Sequence, residues 1–449
     1  MTKAFLTEEV FTLSHHVKGK VMNLFKLKEN NTDVKTEMIA GFTTFMAMLY
    51  IIPVNAFILS TTGMPYEALV TATIFMTVFA TVLNGLWANT PIAMSVGMGI
   101  NAYFSFGLVK GMGIPWQSAL GIVFLSGVMY VLISITPIRK WLIETIPLDI
   151  KRAVSAGIGA FIALIALEQT KIIVANESTL VALGNFKDSG VLLALLGLVL
   201  AIFFSIKRYK GAFIFSILIT TVVAWISGLA SVPQEFISMP ASMATIAFEL
   251  DISSAFKLSF IPLILIFLLT DLFDTLGTLA GVGMRAKLFE NESGSKDLQK
   301  TIEADAVATM LSGVAGVTST TSFIESAAGV EEGGRTGLTA VTVGVLFLLP
   351  LFLLPFFKSI PSNAIYPILV VIGIMMFSEI QNINFSDDAT KYATFFIVMG
   401  MPLTYSITDG LLLGALVYIL VHLIQGKVKE ISPAMLILAI AAVAIFFLL

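Results

Sequence analysis

Two aspartates, Asp271 and Asp274, stand three residues apart in LSFIPLILIFLLTDLFDTLGTLAGV (258–282). This apolar run is long enough to cross a bilayer, which takes about 20 residues. A carboxylate at the centre of such a segment opposes insertion by about 2.5–3.5 kcal/mol, so the pair needs a compensating role. Three apart on a helix, the two acids are expected to share a face with Thr275 and Thr278, while Gly277 and Gly281 form a GxxxG close-packing face. Such a stripe suits proton or cation uptake and the acceptance of hydrogen bonds from a ligand. Enzyme chemistry fits less well. DLFD starts like a metal-binding phosphotransferase signature, but TLGTLAGVGMR follows it instead of Ala-Arg and a second acid pair, and no Gly-x-Gly-Asp of an intramembrane protease occurs. The chain is read as no enzyme, with no metal site.

The elements that must position these acids are transmembrane. Of 449 residues, 57% are hydrophobic and 12% charged, against about 25% charged in soluble proteins. No Cys occurs, so thiolate metal ligands and disulfides are excluded. His15, His16 and His422 lie near the ends, away from mid-membrane chemistry. Apolar runs predict spans at 38–60, 67–87, 91–109, 117–136, 150–167, 191–206 and 211–229, then, after a polar loop at 230–257, at 258–282, 302–314, 317–330, 336–356, 362–377, 392–405 and 409–424. The loop 287–300 is expected to be solvated, with Glu303 and Asp305 interfacial. With the N-terminus inside, 21 Lys and Arg fall in inner loops and 5 in outer ones, which fits the positive-inside rule. Residues 1–36 form a cytoplasmic N-terminal segment in which Val17, Val21, Leu24 and Phe25 allow an interfacial helix or a solvated tail. An apolar tail, 434–449, either spans or lies in the interface.

Seven spans per half place the halves upside down to one another. WLIETIPLDIKRAVSAGIGAFI echoes FFKSIPSNAIYPILVVIGIMMF, with Pro147 matching Pro361. Inverted repeats of this kind are a transporter signature. The third and tenth spans are predicted to be half strand, half helix. PIAMSVGMGINAYFSFGLV meets Gly97 and Gly99 just before Asn101, and GVTSTTSFIESAAGV runs through β-favouring polar residues and turns helical from Ile324, with Glu325 in its first turn. Irregular backbone at membrane depth must be paired or line a cavity, so the two extended pieces are expected to pair with each other. Asn101 and Glu325 then lie beside helix starts that suit a small planar ligand rich in donors and acceptors.

EMIAGFTTFMAMLYIIPVN, GLWANTPIAMSVGMGINAYFSF, LLTDLFDTLGTLAGV and GVTSTTSFIESAAGVEEGGRTGLTA resemble the AzgA-like purine permeases of the nucleobase:cation symporter-2 superfamily, and the likeness runs from Lys35 to Leu449. The resemblance implies an all-α polytopic fold of fourteen segments in a 7+7 inverted repeat. It divides into a core domain (37–136 and 258–356) and a gate domain (150–229 and 362–425). It implies proton-coupled purine import, with hypoxanthine and guanine favoured over adenine. Carried over by motif, the substrate and coupling positions are Asn101, Asp271, Asp274 and Glu325, with Thr44 and the Ser322–Ser326 neighbourhood close by.

On this reading the purine lies between the two half-segments. Glu325 and one aspartate accept its ring N–H groups, and Phe323, Tyr103 and Phe42 cover its faces. A desolvated carboxyl takes up a proton more readily, and Asp271, Asp274 or Glu325 is the expected proton carrier. Sodium suits the same oxygens. A channel or an anion carrier of the same fold is the alternative. The expected partners are a purine nucleobase, the bilayer of the cell membrane and a second copy of the chain through the gate domain, with no nucleic acid and no cofactor beyond the coupling ion.

Overall fold

The computed structural model describes residues 20, 22–136, 145–286, 288–289 and 292–448. After a helical turn at 22–24, α1 (Val34–Met48) is capped by Asp33, whose carboxylate accepts from Lys35 N and Thr36 N. α2 (Ile51–Ser60) and α3 (Tyr66–Trp87) follow. Next come the strand β1 (Met94–Val96), the short helix α4 (Met98–Ala102) and a π-helical stretch, Tyr103–Gly111. The first half continues with α5 (Trp116–Ser134), α6 (Leu148–Gln169), a hairpin of β2 (Ile173–Asn176) and β3 (Leu180–Leu183), α7 (Ser189–Ile206) and α8 (Ala212–Ile226).

The second half has α9 (Ile261–Ala286), α10 (Glu292–Ala315), β4 (Thr320–Ser322), α11 (Ser326–Glu331) and α12 (Gly337–Leu346). It closes with α13 (Ser362–Phe377), α14 (Asp388–Thr404), α15 (Ile407–Ile424) and α16 (Pro433–Leu448). Among the described residues, eight helical stretches are long and apolar enough to cross a membrane, and the helices at Ala212–Ile226 and Gly337–Phe352 are shorter apolar ones. The chain is a multi-pass membrane protein.

Two sets of helices pack mainly among themselves. α1, α3, α5, α9, α10, α11 and α12 form one, and α6, α7, α8, α13, α14 and α15 the other, with α16 against α15. In the second set the internal repeat is visible in atoms. Pro147 and Pro361 occupy the N-cap positions of α6 and α13. Their equivalents twelve residues on, Gly159 and Gly373, meet where the two helices cross: a Cβ on either would stand 2.5 Å from the other's carbonyl oxygen. Only glycine permits that approach.

The structure departs from the sequence reading at several elements. The expected solvated loop is helical from Glu292, because α10 begins there. The span at 336–356 is broken into α12, a 3₁₀ turn (Leu349–Phe352) and a short helix (Leu354–Lys358), since Pro350 and Pro355 cannot continue a helical ladder. The tenth segment turns helical at Ser326 rather than Ile324, with Glu325 at the N-cap. The GxxxG face is not a packing face: a Cβ added at Gly277 or Gly281 would meet nothing within 4 Å. In the N-terminal segment Val17 and Val21 lie outside the described residues, whereas Phe25 is buried and its carbonyl accepts from Asn89 Nδ2 at 3.1 Å.

Candidate functional site

β1 and β4 pair antiparallel, Met94 opposite Ser322, Ser95 opposite Thr321 and Val96 opposite Thr320. Gly97 N to Ser319 O and Phe323 N to Ala93 O, both 2.9 Å, extend the pairing at each end. A two-stranded ribbon within lipid would still leave outer edges bare, and side chains from neighbouring helices cover them. Thr73, Thr77, Thr81 and Asn84 form one buried stripe on α3. Thr81 Oγ1 donates to Met94 O at 2.7 Å and accepts from Met94 N at 3.0 Å, and Asn84 Nδ2 donates to Ile92 O at 2.7 Å. On the other strand, Thr320 O accepts from Thr309 Oγ1 of α10 at 2.8 Å.

In front of this seam stand two partly exposed acids. Glu325 Oε1 accepts from Tyr50 Oη at 2.6 Å. Asp274 interacts electrostatically with Glu325. Asn101, at the other half-helix, is wholly buried. Its Nδ2 donates to Asn55 Oδ1 at 2.5 Å, Asn55 Nδ2 donates to Thr73 Oγ1 at 2.7 Å, and Asn101 Oδ1 keeps no partner among the described residues. Phe323 is buried at the end of β4. Ser322 Oγ is buried without a partner, and Ser326 Oγ accepts from Ala93 N at 3.0 Å. Thr44 lies under α11, where a Cβ on Gly329 would come within 2.2 Å of its Oγ1. It locates the half-helix that follows Glu325.

Behind the seam lies a second acid pair. Asp271 is 1% exposed and Asp305 fully buried. Thr309 Oγ1 stands 2.6 Å from Asp271 Oδ2, while Thr275 Oγ1 at 2.5 Å and Tyr130 Oη at 3.3 Å both donate to Asp305 Oδ2. The two carboxyls interact electrostatically.

Three expectations are corrected here, those for Asp305, Phe42 and Tyr103. Asp305 is not interfacial, because α10 carries it inward on the stripe Asp305, Thr309, Ser312. Phe42 is 54% exposed on the outer face of α1 and covers nothing in the site. Asp271 and Asp274 stand on one polar stripe of α9 but differ in exposure: the first is buried with Thr275 and Thr278, while the second borders the open side of the helix near Gly277 and Gly281. Tyr103, also expected over the ligand, is buried against Phe267 with its hydroxyl at Thr408 in the first turn of α15, so it ties the two helix sets together.

Tyr50, Asn55, Tyr130 and Asp305 were missed. The Asp-x-x-x-Thr-x-x-Ser spacing in 305–312 was the available signal for Asp305. The tyrosines and Asn55 carry none, because their partners lie far away in sequence.

Opposed half-strands between two inverted helix sets, with acids gathered at the seam, define a polytopic membrane protein of the 7+7 inverted-repeat class. The same fold is found in the transmembrane domain of the cyanobacterial bicarbonate transporter BicA (TM-score 0.61, 14% identity, 86% of this chain and 97% of that one). It is found again in SLC26A9 (TM-score 0.59, 10% identity, 93% and 71%). The chain belongs to the Permease family (Xan_ur_permease), whose model matches residues 35–413. It is 39% identical to the putative permease MJ0326 of Methanocaldococcus jannaschii, over 94% of this chain and 96% of that protein. It is 38% identical to the guanine/hypoxanthine permease PbuO of Bacillus subtilis (93% and 98%) and 36% identical to the adenine permease AdeP of Escherichia coli (94% and 95%). It is a permease, not an enzyme.

Proposed function

We propose that this permease imports purine nucleobases, hypoxanthine and guanine foremost, by proton symport across the cell membrane, with its N-terminus in the cytoplasm. The observation that carries the reading is the pair of partly exposed carboxyls, Asp274 and Glu325, beside one another at the β1–β4 seam. A purine ring offers N–H donors and N or O acceptors around a flat edge. Glu325 and Asp274 accept, Asn101 supplies the complementary amide, Ser322 adds a hydroxyl, and Phe323 gives an apolar face. Two similar relatives carry purine names, PbuO for guanine and hypoxanthine and AdeP for adenine. An adenine preference is the second reading, favoured by AdeP's near-equal identity.

The helix set around the seam acts as the core that holds substrate, and the set built on α6 and α13 as the gate. The core shifts against the gate so that the seam faces each side in turn. A carboxylate carried unpaired through a low-dielectric passage is costly, and a bound proton removes the charge. Proton and purine therefore move together, with Asp271 assigned to coupling.

The test is uptake of labelled hypoxanthine by cells lacking their own nucleobase permeases, with adenine, guanine, xanthine and uracil as competitors, at two pH values. Expected are saturable uptake that is stronger at low external pH, competition by purines and loss in Glu325→Gln. Uptake that uracil alone inhibits, or current without saturation, would overturn the proposal.

A further inference from the structure

Hydrogen counting behind the seam assigns a residue that neither the motifs nor the relatives' names single out. A threonine hydroxyl has one hydrogen to give. Thr309 Oγ1 faces two oxygens, Thr320 O at 2.8 Å and Asp271 Oδ2 at 2.6 Å. The carbonyl can only accept, and as the edge of β4 at membrane depth it needs a donor. When Thr309 gives its hydrogen there, the short contact to Asp271 closes only if Asp271 carries a hydrogen and donates it to Thr309.

Asp305 is placed the opposite way. Its Oδ2 receives two donors, Thr275 Oγ1 and Tyr130 Oη, a pattern that suits an ionised carboxylate. Thr275 is free to give its hydrogen because Thr321 Oγ1, 2.9 Å away, can donate to it in turn. Each acid also keeps its other oxygen, Oδ1, buried and without a hydrogen-bond partner among the described residues. Two buried carboxylates repel each other, and one proton held by the pair removes that repulsion.

We infer that Asp271 and Asp305 form a one-proton site a tier behind the purine, with Asp271 as the carrier and Asp305 as the fixed negative charge that makes the proton bind. The inference rests on the symport reading above and deepens it. The charged and titratable groups facing the pair are Tyr130 from α5, Asp274 from α9 itself and, through Asp274, Glu325 at α11. From α6, Lys151 comes over the ring of Phe273 at 5.7 Å. The step is an O–H association alone: a proton leaves hydronium on the outer side for Asp271 and returns to water on the inner side. Purine at Asp274 and Glu325 senses it electrostatically, since Asp271 and Asp305 both interact with Asp274.

The test uses the full-length permease in proteoliposomes with hypoxanthine, reading purine binding and purine-evoked proton uptake separately. Expected for Asp305→Asn and Asp271→Asn is retained binding with proton uptake lost, and for Glu325→Gln purine binding that is weakened but still measurable. Proton uptake at wild-type stoichiometry in both aspartate variants, or its loss in Asp274→Asn with binding intact, would overturn the inference. Accumulation that follows a sodium gradient would do the same. Absence of purine binding by the unmodified protein would instead sink the proposed function. Should Asp305→Asn fail to fold, infrared difference spectra of the unmodified protein decide. A protonated-carboxyl stretch must change on adding hypoxanthine and be missing in Asp271→Asn, and a spectrum without one contradicts the assignment.

Discussion

Tyr50→Phe isolates the contact that orients Glu325. The ring is 2% exposed and packs edge-on against Phe213, with centroids 5.0 Å apart, so removing one oxygen leaves the packing in place. What is lost is the 2.6 Å bond to Glu325 Oε1. Glu325 stands at the N-cap of α11 with no side-chain cap bond of its own, so Tyr50 is the hydrogen-bonding side chain that fixes it. Hydrogen bonds to charged groups contribute about 1.5–3 kcal/mol, which at 1.4 kcal/mol per decade is about a 10- to 150-fold loss of purine affinity. Equilibrium binding of labelled hypoxanthine to purified protein measures it, with thermal unfolding as the control for fold. The cycle with Glu325→Gln is decisive, since residues that act through one contact are not additive. Tyr50→Phe must add little in the Gln background. An equal loss in both backgrounds, or none in either, would refute the positioning role.

Three further outcomes follow from the packing. Gly329→Ala should lower thermal stability and uptake, by about 1–3 kcal/mol of overpacking, because the new Cβ meets Thr44 Oγ1 at 2.2 Å and the Ala40 carbonyl at 2.6 Å. Gly281→Ala, facing open space, should leave stability unchanged or slightly raised; equal effects of the two substitutions would contradict the packing described. Glu37→Gln should lower the unfolding temperature, at a cost of about 1–3 kcal/mol. Both carboxylate oxygens are used, Oε1 by Arg335 N at 2.9 Å and Oε2 by Thr339 N at 3.2 Å and Thr339 Oγ1 at 2.5 Å, at the entry to α12. The ion pair of Lys210, in the turn before α8, with Glu332, at the end of α11, joins the two helix sets. As a partly exposed pair it is worth about 0.2–1 kcal/mol, so Lys210→Glu should change uptake by no more than about fivefold and Lys210→Glu/Glu332→Lys should restore it; failure of the swap to restore uptake would count against a role for the pair.

The seam was readable from the sequence because polar, β-favouring residues in 317–323 and the glycines at Gly97 and Gly99 have no place in an ordinary membrane helix. The inverted repeat was readable at Pro147 and Pro361, whose restricted backbone marks helix entry in both halves. The back of the site was not readable. Thr81 covers Met94, and Tyr130 reaches Asp305 across 175 residues, contacts that only the packed helices create. The GxxxG face of α9 was misread for the same reason: small residues at Gly277 and Gly281 look alike in sequence whether a neighbour fills the groove or open space lies beside it. The π-helical stretch from Tyr103 also left no sequence mark. Within it the Tyr103 ring lies against Gly107, where a Cβ would stand 2.5 Å from the ring.

The most direct measurement of the central claim is a structure of the permease in lipid with hypoxanthine bound. The account predicts the purine edge on Asp274 and Glu325 at the β1–β4 seam, with Asn101 and Phe323 around it and Asp271 and Asp305 behind it out of contact. A purine seated elsewhere, or one touching neither Asp274 nor Glu325, would contradict it.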